Sequence, residues 1–259
     1  MKTELPLSSK VALVTGSSRG IGKAIALYLA SKGADLVINF VHNQTLAEET
    51  VNQIKLMGRK AFCVRANIGK IDHIQKLFQR IETEYGRLDI FVHNAASGFN
   101  RPGLQQRPEG WDHTVNVNTR SFLFATQQAT PLMVKNKGGV ILAISSPGSL
   151  RVMPDYIAVG ASKAALESLV RYLSVELATY NISVNAISPG IVETDALKHF
   201  QVLTDKHVIE RARSATPAGR LVTPQDIAGL AFFLCTQEAT MIRGQVIVMD
   251  GGLTLPITV

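Results

Sequence analysis

Thr15-Gly-Ser-Ser-Arg-Gly-Ile-Gly22 is the stretch on which the fold turns. An apolar run, Lys10 to Thr15, leads into it. A segment with three-to-four spacing of apolar residues, Ile21 to Ser31, leads away. Strand, glycine turn and helix in that order make an anion cradle. Gly16, Gly20 and Gly22 bring backbone close to a pyrophosphate, and the helix start supplies N–H donors and positive dipole. Glycines alone are a weak signal, but Thr-Gly-x-x-x-Gly-x-Gly between a strand and a helix is specific. Ser17, Ser18, Arg19 and Ile21 share that cradle.

Outward from this turn, short Val- and Ile-rich runs alternate with helix-period segments. Lys10 to Thr15, Asp35 to Phe40, Ala61 to Arg65, Ile90 to His93, Val140 to Ser145, Ile182 to Ser188 and Val246 to Met249 read as strands. Ile21 to Ser31, Thr45 to Met57, Ile71 to Tyr85, Trp111 to Lys135, Ala158 to Ala178 and Pro224 to Leu234 read as helices. Such alternation predicts an α/β protein: a Rossmann-type, doubly wound parallel sheet of about seven strands with helices on both faces. No linker, repeat or low-complexity tract divides residues 1–259, so one dinucleotide-binding catalytic domain is expected. From about 191 to 218 the rhythm breaks on the ligand side of the sheet, which suits either a substrate lid or a packed excursion.

Composition narrows the class. The chain has 259 residues, 46% hydrophobic and 18% charged, proportions of a well-filled core. Its start lacks a secretory apolar run and no stretch approaches eighteen apolar residues, so a cytoplasmic protein without a membrane segment is expected. Cys63 and Cys235 are too few for a metal cluster, and no metal is expected. The net charge of +7 favours acidic partners, but Lys and Arg are scattered singly, unlike a nucleic-acid interface.

The cofactor can be chosen from the end of the second strand. NAD binders usually place an acid there for the ribose hydroxyls. Here the strand ends Ile38-Asn39-Phe40-Val41-His42-Asn43, with nothing to repel a phosphate. Arg19 in the turn, with Phe40 and His42 near the expected 2′-phosphate, predicts NADPH.

Further along stand Asn118 in Val-Asn-Val-Asn, Ser146, and Tyr156-Ile-Ala-Val-Gly-Ala-Ser-Lys163. With the glycine turn, these resemble the short-chain dehydrogenase/reductase family, in which Tyr and Lys are normally four residues apart. The resemblance implies that Lys163 holds the nicotinamide ribose and lowers the tyrosine pKa, that Ser146 orients the substrate, and that Asn118 is the family's helix asparagine. It also implies that Asn67 and Ile68 meet the adenine and that Asn94, with Ala95 and Ala96, lines the ribose. Pro189, Gly190, Val192 and Thr194 match the turn that holds the nicotinamide carboxamide.

The tyrosine is displaced. Four residues before Lys163 stands Val159, which has no proton to give, and Tyr156 stands seven before. Positions four and seven before a lysine share a helical face, roughly 5 Å apart. A phenol so moved no longer meets the oxygen of a hydride-accepting carbon. It suits the thioester oxygen of an α,β-unsaturated substrate, where charge appears two carbons from the attacked β-carbon. The Tyr-x6-Lys pattern resembles the enoyl-acyl carrier protein reductases. Asn94-Ala-Ala-Ser-Gly98, Ile144-Ser-Ser-Pro-Gly-Ser-Leu-Arg151 and Thr216-Pro-Ala-Gly-Arg220 look most like their NADPH-dependent third type, the FabL-like branch.

The resemblance implies an enoyl thioester substrate, carried by acyl carrier protein or coenzyme A, in fatty-acid elongation. Phe99, Leu197 and Phe200, with Tyr156, are candidates for the acyl pocket, though the first three equally suit plain core. Lys198, Lys206, Arg211 and Arg213 are candidates for steering an acidic carrier. A ketone or dienoyl-thioester reductase is the alternative. Long helices with more than one apolar face, Trp111 to Lys135 and Ala158 to Ala178, suit a homotetramer, as does the resemblance.

Overall fold

Four consecutive buried residues, Val11–Val14, form β1, a strand covered on both faces as in the interior of a parallel sheet. The computed structural model describes residues 4–192 and 206–256, with backbone alone at 206–208. β2 (Asp35–Phe40), β3 (Ala61–Arg65), β4 (Ile90–His93), β5 (Gly139–Ile144), β6 (Ile182–Pro189) and β7 (Val246–Met249) follow, ordered β3-β2-β1-β4-β5-β6-β7 in one sheet. Every pair is parallel: Val11 faces Asp35 across β1–β2, and Ala12 faces Ile90 across β1–β4. The chain winds outward from β1 to β3 and then restarts at β4. That reversal opens a crevice above the carboxyl ends of β1 and β4.

Eight α-helices occur among the described residues. They are α1 (Gly20–Ser31), α2 (Gln44–Leu56), α3 (Ile71–Tyr85), α4 (Pro108–Val115), α5 (Ser121–Val134), α6 (Ile157–Glu176), α7 (Lys206–Ala215) and α8 (Pro224–Phe233). Ile25 and Leu29 of α1, Val51 and Ile54 of α2, and Ile227 of α8 fill the core on one face of the sheet. Leu77 and Phe78 of α3, Phe122 and Ala129 of α5, and Leu166 and Val170 of α6 fill the other. None of these helices is long and apolar enough to cross a membrane.

The expected doubly wound sheet is present, with differences that have local causes. The single helix expected from Trp111 to Lys135 is α4 and α5 joined by a π-turn, Asn116–Arg120, in which Ser121 N–H reaches back to Asn116 O. Inside the arrhythmic segment lies α7, and Val192 bridges to Val222 beside it. Of the lid expected at about 191–218, residues 193–205 lie outside the described residues.

A buried amide ties the first three strands together. Asn39 Nδ2 donates to the Val64 and Ala66 carbonyls at 3.3 and 3.0 Å, and its Oδ1 accepts Gly16 N–H at 3.2 Å. Ser17 Oγ donates to Val14 O at 2.6 Å and accepts Asn39 N–H at 3.1 Å. Asn39→Ala strands several of these buried groups and should lower the unfolding free energy by about 3 kcal/mol in urea titrations. A loss below about 1 kcal/mol would show that water replaces the amide without penalty.

Candidate active site

Ser146 leaves β5 in extended backbone and caps a short 3₁₀ turn, Pro147–Ser149, by accepting Gly148 N–H at 3.3 Å. Its Oγ lies 3.3 Å from Tyr156 Oη. Tyr156 is the N-cap of α6, one residue outside the helix, but its carbonyl accepts Gly160 N–H at 2.8 Å. The phenol therefore keeps the helical register expected from its spacing to Lys163, from the helix's first turn rather than its interior.

Room for the displaced ring comes from a missing side chain. A Cβ on Gly148 would stand 2.6 Å from Tyr156 Cδ1 and Cε1, and one on Gly160 would stand 2.6 Å from Gly148 O. Val159, at the position four before Lys163, is buried and faces Gly98, whose absent Cβ would collide with Val159 Cγ2. An apolar branched side chain thus occupies the position four before Lys163. Burial pushes the Tyr156 pKa up, and the Ser146 hydrogen bond offsets this only in part, so the phenol keeps its proton at neutral pH.

Lys163 lies behind this pair, 4% exposed, with Nζ donating to Ile144 O at 2.7 Å. Burial brings its pKa down to about 8, and the Glu167 carboxylate one turn along the helix opposes that fall. The amide of Asn118, in the π-turn, makes three hydrogen bonds. It accepts Ser97 N–H at 2.8 Å and donates to Ser97 O and Ser162 Oγ, both at 2.9 Å. Its side chain clamps the loop after β4 to α6.

The glycine turn is shared between ligand and protein. No side chain caps the start of α1, and its first turn has no acid, so the helix presents backbone N–H groups to an anion. Ser18, Arg19 and Gly20 are accessible on this edge, Arg19 and Gly20 most so. Gly16 and Gly22, expected to admit the pyrophosphate, lie against the loop after β4. A Cβ on Gly22 would stand 2.5 Å from Asn94 Nδ2, and one on Gly16 3.0 Å from Ala95 Cα. Asn94, expected at the ribose, donates from Nδ2 to Thr15 O at 2.9 Å and to Gly16 O at 3.2 Å. Its first task is to hold that turn.

Three residues expected at the cofactor pack in or against the core. Phe40 and Ile68 are buried in opposite core clusters, and Ile21 packs against the first. Asn67 Oδ1 accepts Gly69 N–H at 2.9 Å, one of the two bonds an amide oxygen takes. Ala96 and His42 are exposed, while Pro189, at the end of β6, and Val192 are buried and Gly190 lies between them. A Cβ on Gly190 would stand 2.9 Å from Asp250 Cβ, so the loop after β7 closes on this turn.

Phe99 is 60% exposed on the loop after β4 and therefore is not core. Thr194, Leu197, Lys198 and Phe200 lie outside the described residues, as does the side chain of Lys206. Arg211 and Arg213 sit on α7, with Arg213 Nη1 3.4 Å from Glu210 Oε2. No group of three metal-ligating side chains occurs among the described residues. Gly148, Asn39, Glu167 and Arg65 carry no signature in the sequence that marks them for the site. Arg65, on edge strand β3, donates from Nε to Val41 O at 3.0 Å, beside His42. The one hint of it is a lone cation ending an apolar strand.

A family model described as enoyl-(acyl carrier protein) reductase matches residues 16–254. The chain is 39% identical over 246 residues to the 1-cyclohexenylcarbonyl-CoA reductase of Streptomyces collinus, covering 95% of this chain and 87% of that protein. It is 36% identical over 260 residues to a hydroxynaphthalene reductase-like protein of Metarhizium anisopliae, covering 97% of each. Among solved structures, a 7α-hydroxysteroid dehydrogenase complexed with NADH and 7-oxo glycochenodeoxycholic acid is similar at TM-score 0.91. It is 35% identical, covering 96% of each chain.

His93, at the end of β4, carries a charge consequence for stability. Ser121 Oγ donates to Val117 O, so His93 Nε2, 2.7 Å from that hydroxyl, is the donor and carries the proton. Nδ1 is buried without a partner, and burial, aided by Lys163, brings the pKa from 6.5 down to about 3. A depressed histidine contributes stability above its unfolded pKa and loses it as pH falls toward the folded one. Unfolding free energy should therefore drop by several kcal/mol between pH 6.5 and about 3, at a slope of about 1.4 kcal/mol for each pH unit. His93→Asn should flatten that slope, as denaturant titrations at successive pH values would show. Parallel slopes in both proteins would place the acid sensitivity elsewhere.

Proposed function

The chain belongs to the short-chain dehydrogenase/reductase superfamily, in the family described as enoyl-(acyl carrier protein) reductase, and on that premise we propose that it reduces the C=C bond of a trans-2-enoyl thioester with NADPH. One observation carries the reading. The phenol of Tyr156 stands on Ser146, while a buried Val159 seals the place four residues before Lys163. The Streptomyces relative's name describes a ring alkene conjugated to a coenzyme A thioester, which supports a substrate of this kind.

Bound NADPH supplies the hydride, which goes to the β-carbon. Tyr156, protonated at neutral pH, donates a hydrogen bond to the thioester oxygen as negative charge develops there, and a proton taken from solvent at the α-carbon completes the saturated thioester. Ser146 holds the phenol in place, and Lys163 holds the nicotinamide ribose. Arg19, His42 and Arg65 surround the 2′-phosphate. The turn at Ser17 to Ile21 and the start of α1 take the pyrophosphate through backbone N–H groups. Asn67 and Ile68 border the adenine. Asn94 to Ala96 border the ribose, and Pro189, Gly190, Val192 and Thr194 border the carboxamide.

Phe99, with Leu197 and Phe200, lines the acyl side. The carrier is acyl carrier protein or coenzyme A, and the FabL-like enoyl reductases are the branch this arrangement fits. Exposed Val134 on α5 and exposed Tyr172 and Val175 on α6 suit a homotetramer packed through those helices. A second reading, ketone reduction on an aromatic ring, is favoured by the hydroxynaphthalene reductase-like relative. Val159 opposes it, because the position four before Lys163 holds a side chain with no proton to give.

NADPH consumption with a crotonyl thioester and with an aromatic-ring ketone such as tetralone separates the two readings, and turnover on the ketone alone would overturn the first. Tyr156→Phe should lower kcat on the enoyl substrate about 10²-fold and leave NADPH affinity unchanged. Gly148→Ala should act alike by pushing the ring aside, since a 1 Å misplacement costs up to about 10²-fold.

The cofactor preference has its own test. Arg19→Ala should weaken NADPH binding by about 2 kcal/mol and leave NADH binding nearly alone. Equal losses would make Arg19 a support of the turn.

A further inference from the structure

Glu167 is a carboxylate on α6 only 4% exposed, and neither the hydride nor the phenol of the proposed reaction uses it. A charge taken out of water is costly unless it is paired and hydrogen-bonded, so its surroundings must supply both. Its Oε1 accepts Ser145 Oγ at 2.5 Å and Ser149 Oγ at 2.6 Å. Ser149 Oγ also lies 2.8 Å from the Ser146 carbonyl. These two hydroxyls bracket Ser146 and the glycine slot that seats Tyr156. Lys163 is four residues earlier on the same helical face, where i and i+4 side chains are neighbours.

We infer that Glu167 is a positioning residue: through Ser145 and Ser149 it fixes the loop that presents Ser146 to Tyr156, and through its charge it keeps Lys163 an ammonium. This rests on the roles proposed above for Ser146, Tyr156 and Lys163. Titratable groups that act on Lys163 or share its site are Glu167 on its own helix, His93 from β4 and Tyr156 at the helix cap. His93 is neutral above about 3 and the Tyr156 phenol is pushed upward. Glu167 is therefore the charge whose removal acts on Lys163 in the neutral range. The sign is set: burial has already lowered the Lys163 pKa to about 8, Glu167 opposes that fall, and without Glu167 the ammonium is lost at lower pH.

The test uses the full chain, NADPH fluorescence titration from about pH 6 to 9, and kcat on a crotonyl thioester. Glu167→Gln keeps an amide oxygen for both serines and removes the charge. The alkaline loss of NADPH affinity should move about one pH unit lower, a roughly tenfold weaker affinity near pH 8 with wild-type affinity near pH 6. The double variant Ser145→Ala/Ser149→Ala keeps the charge and removes the brace. Its affinity profile should match wild type, while kcat falls about tenfold at every pH.

An unmoved profile in Glu167→Gln, or an unchanged kcat in the double variant, overturns the inference. If the Gln variant does not fold, Glu167→Asp decides: the charge stays and the reach shortens, so kcat should fall and the profile should hold. A shifted profile there overturns the inference too. Should the wild type fail to turn over crotonyl thioester, the enoyl reading fails instead, and the NADPH titrations still decide the role of Glu167.

Discussion

The site depends on how closely two loops approach at the sheet's switch point. The turn after β1 and the loop after β4 lie so near that a Cβ on Gly16 or Gly22 would stand within 3.0 Å of Asn94 or Ala95. Thr15 Oγ1 accepts the Asn94 and Ala95 N–H groups at 3.0 and 3.1 Å, and Asn94 returns its amide to the Thr15 carbonyl. Backbone polar groups that would otherwise be stranded at the strand ends are thereby paired. The remaining edge, Ser18 to Gly20 and the uncapped start of α1, faces the crevice. Part of the glycine-rich turn is thus taken up by packing against the loop after β4.

Charge is handled in the opposite way behind the crevice. Lys163, Glu167 and His93 are each buried to 4% exposure or less. Three charges in that space would repel or desolvate one another, and the structure avoids this by keeping His93 neutral and placing Glu167 along the helix from Lys163. Hydroxyl groups complete the arrangement, with Ser145 and Ser149 on Glu167 and Ser121 on His93. Small polar side chains satisfy the buried acceptors without adding charge, which leaves the Lys163 ammonium poised near neutrality.

The displaced tyrosine needs three accommodations that act together. α6 starts at Ile157, so Tyr156 sits at its cap. Gly148 leaves the ring its slot, and Val159 packs against Gly98. In the proposed reaction these choices decide which oxygen the phenol reaches, hence which bond is reduced. Moving a proton donor along a helix is therefore a change of loop and neighbour as much as of register.

Much of this is legible in the chain itself, because the controlling signals are periodic or local. Asp35–Phe40 and Ile90–His93 announce buried strands by their apolar content, and the Thr15 to Gly22 turn, between a strand and a helix, announces the switch point of the sheet. The Tyr156–Lys163 interval, read with Val159, points to a displaced phenol without reference to the fold. Contacts between distant segments are not legible, since nothing in one stretch records what packs on it. That Phe40 and Ile68 are core, that Asn94 serves the turn, that Gly148 seats Tyr156 and that Glu167 grips Ser145 and Ser149 are decided by tertiary packing. Sequence determined which residue types and periods were present. Only the folded chain decided which backbone lies close enough to exclude a side chain, and which buried charge finds a partner.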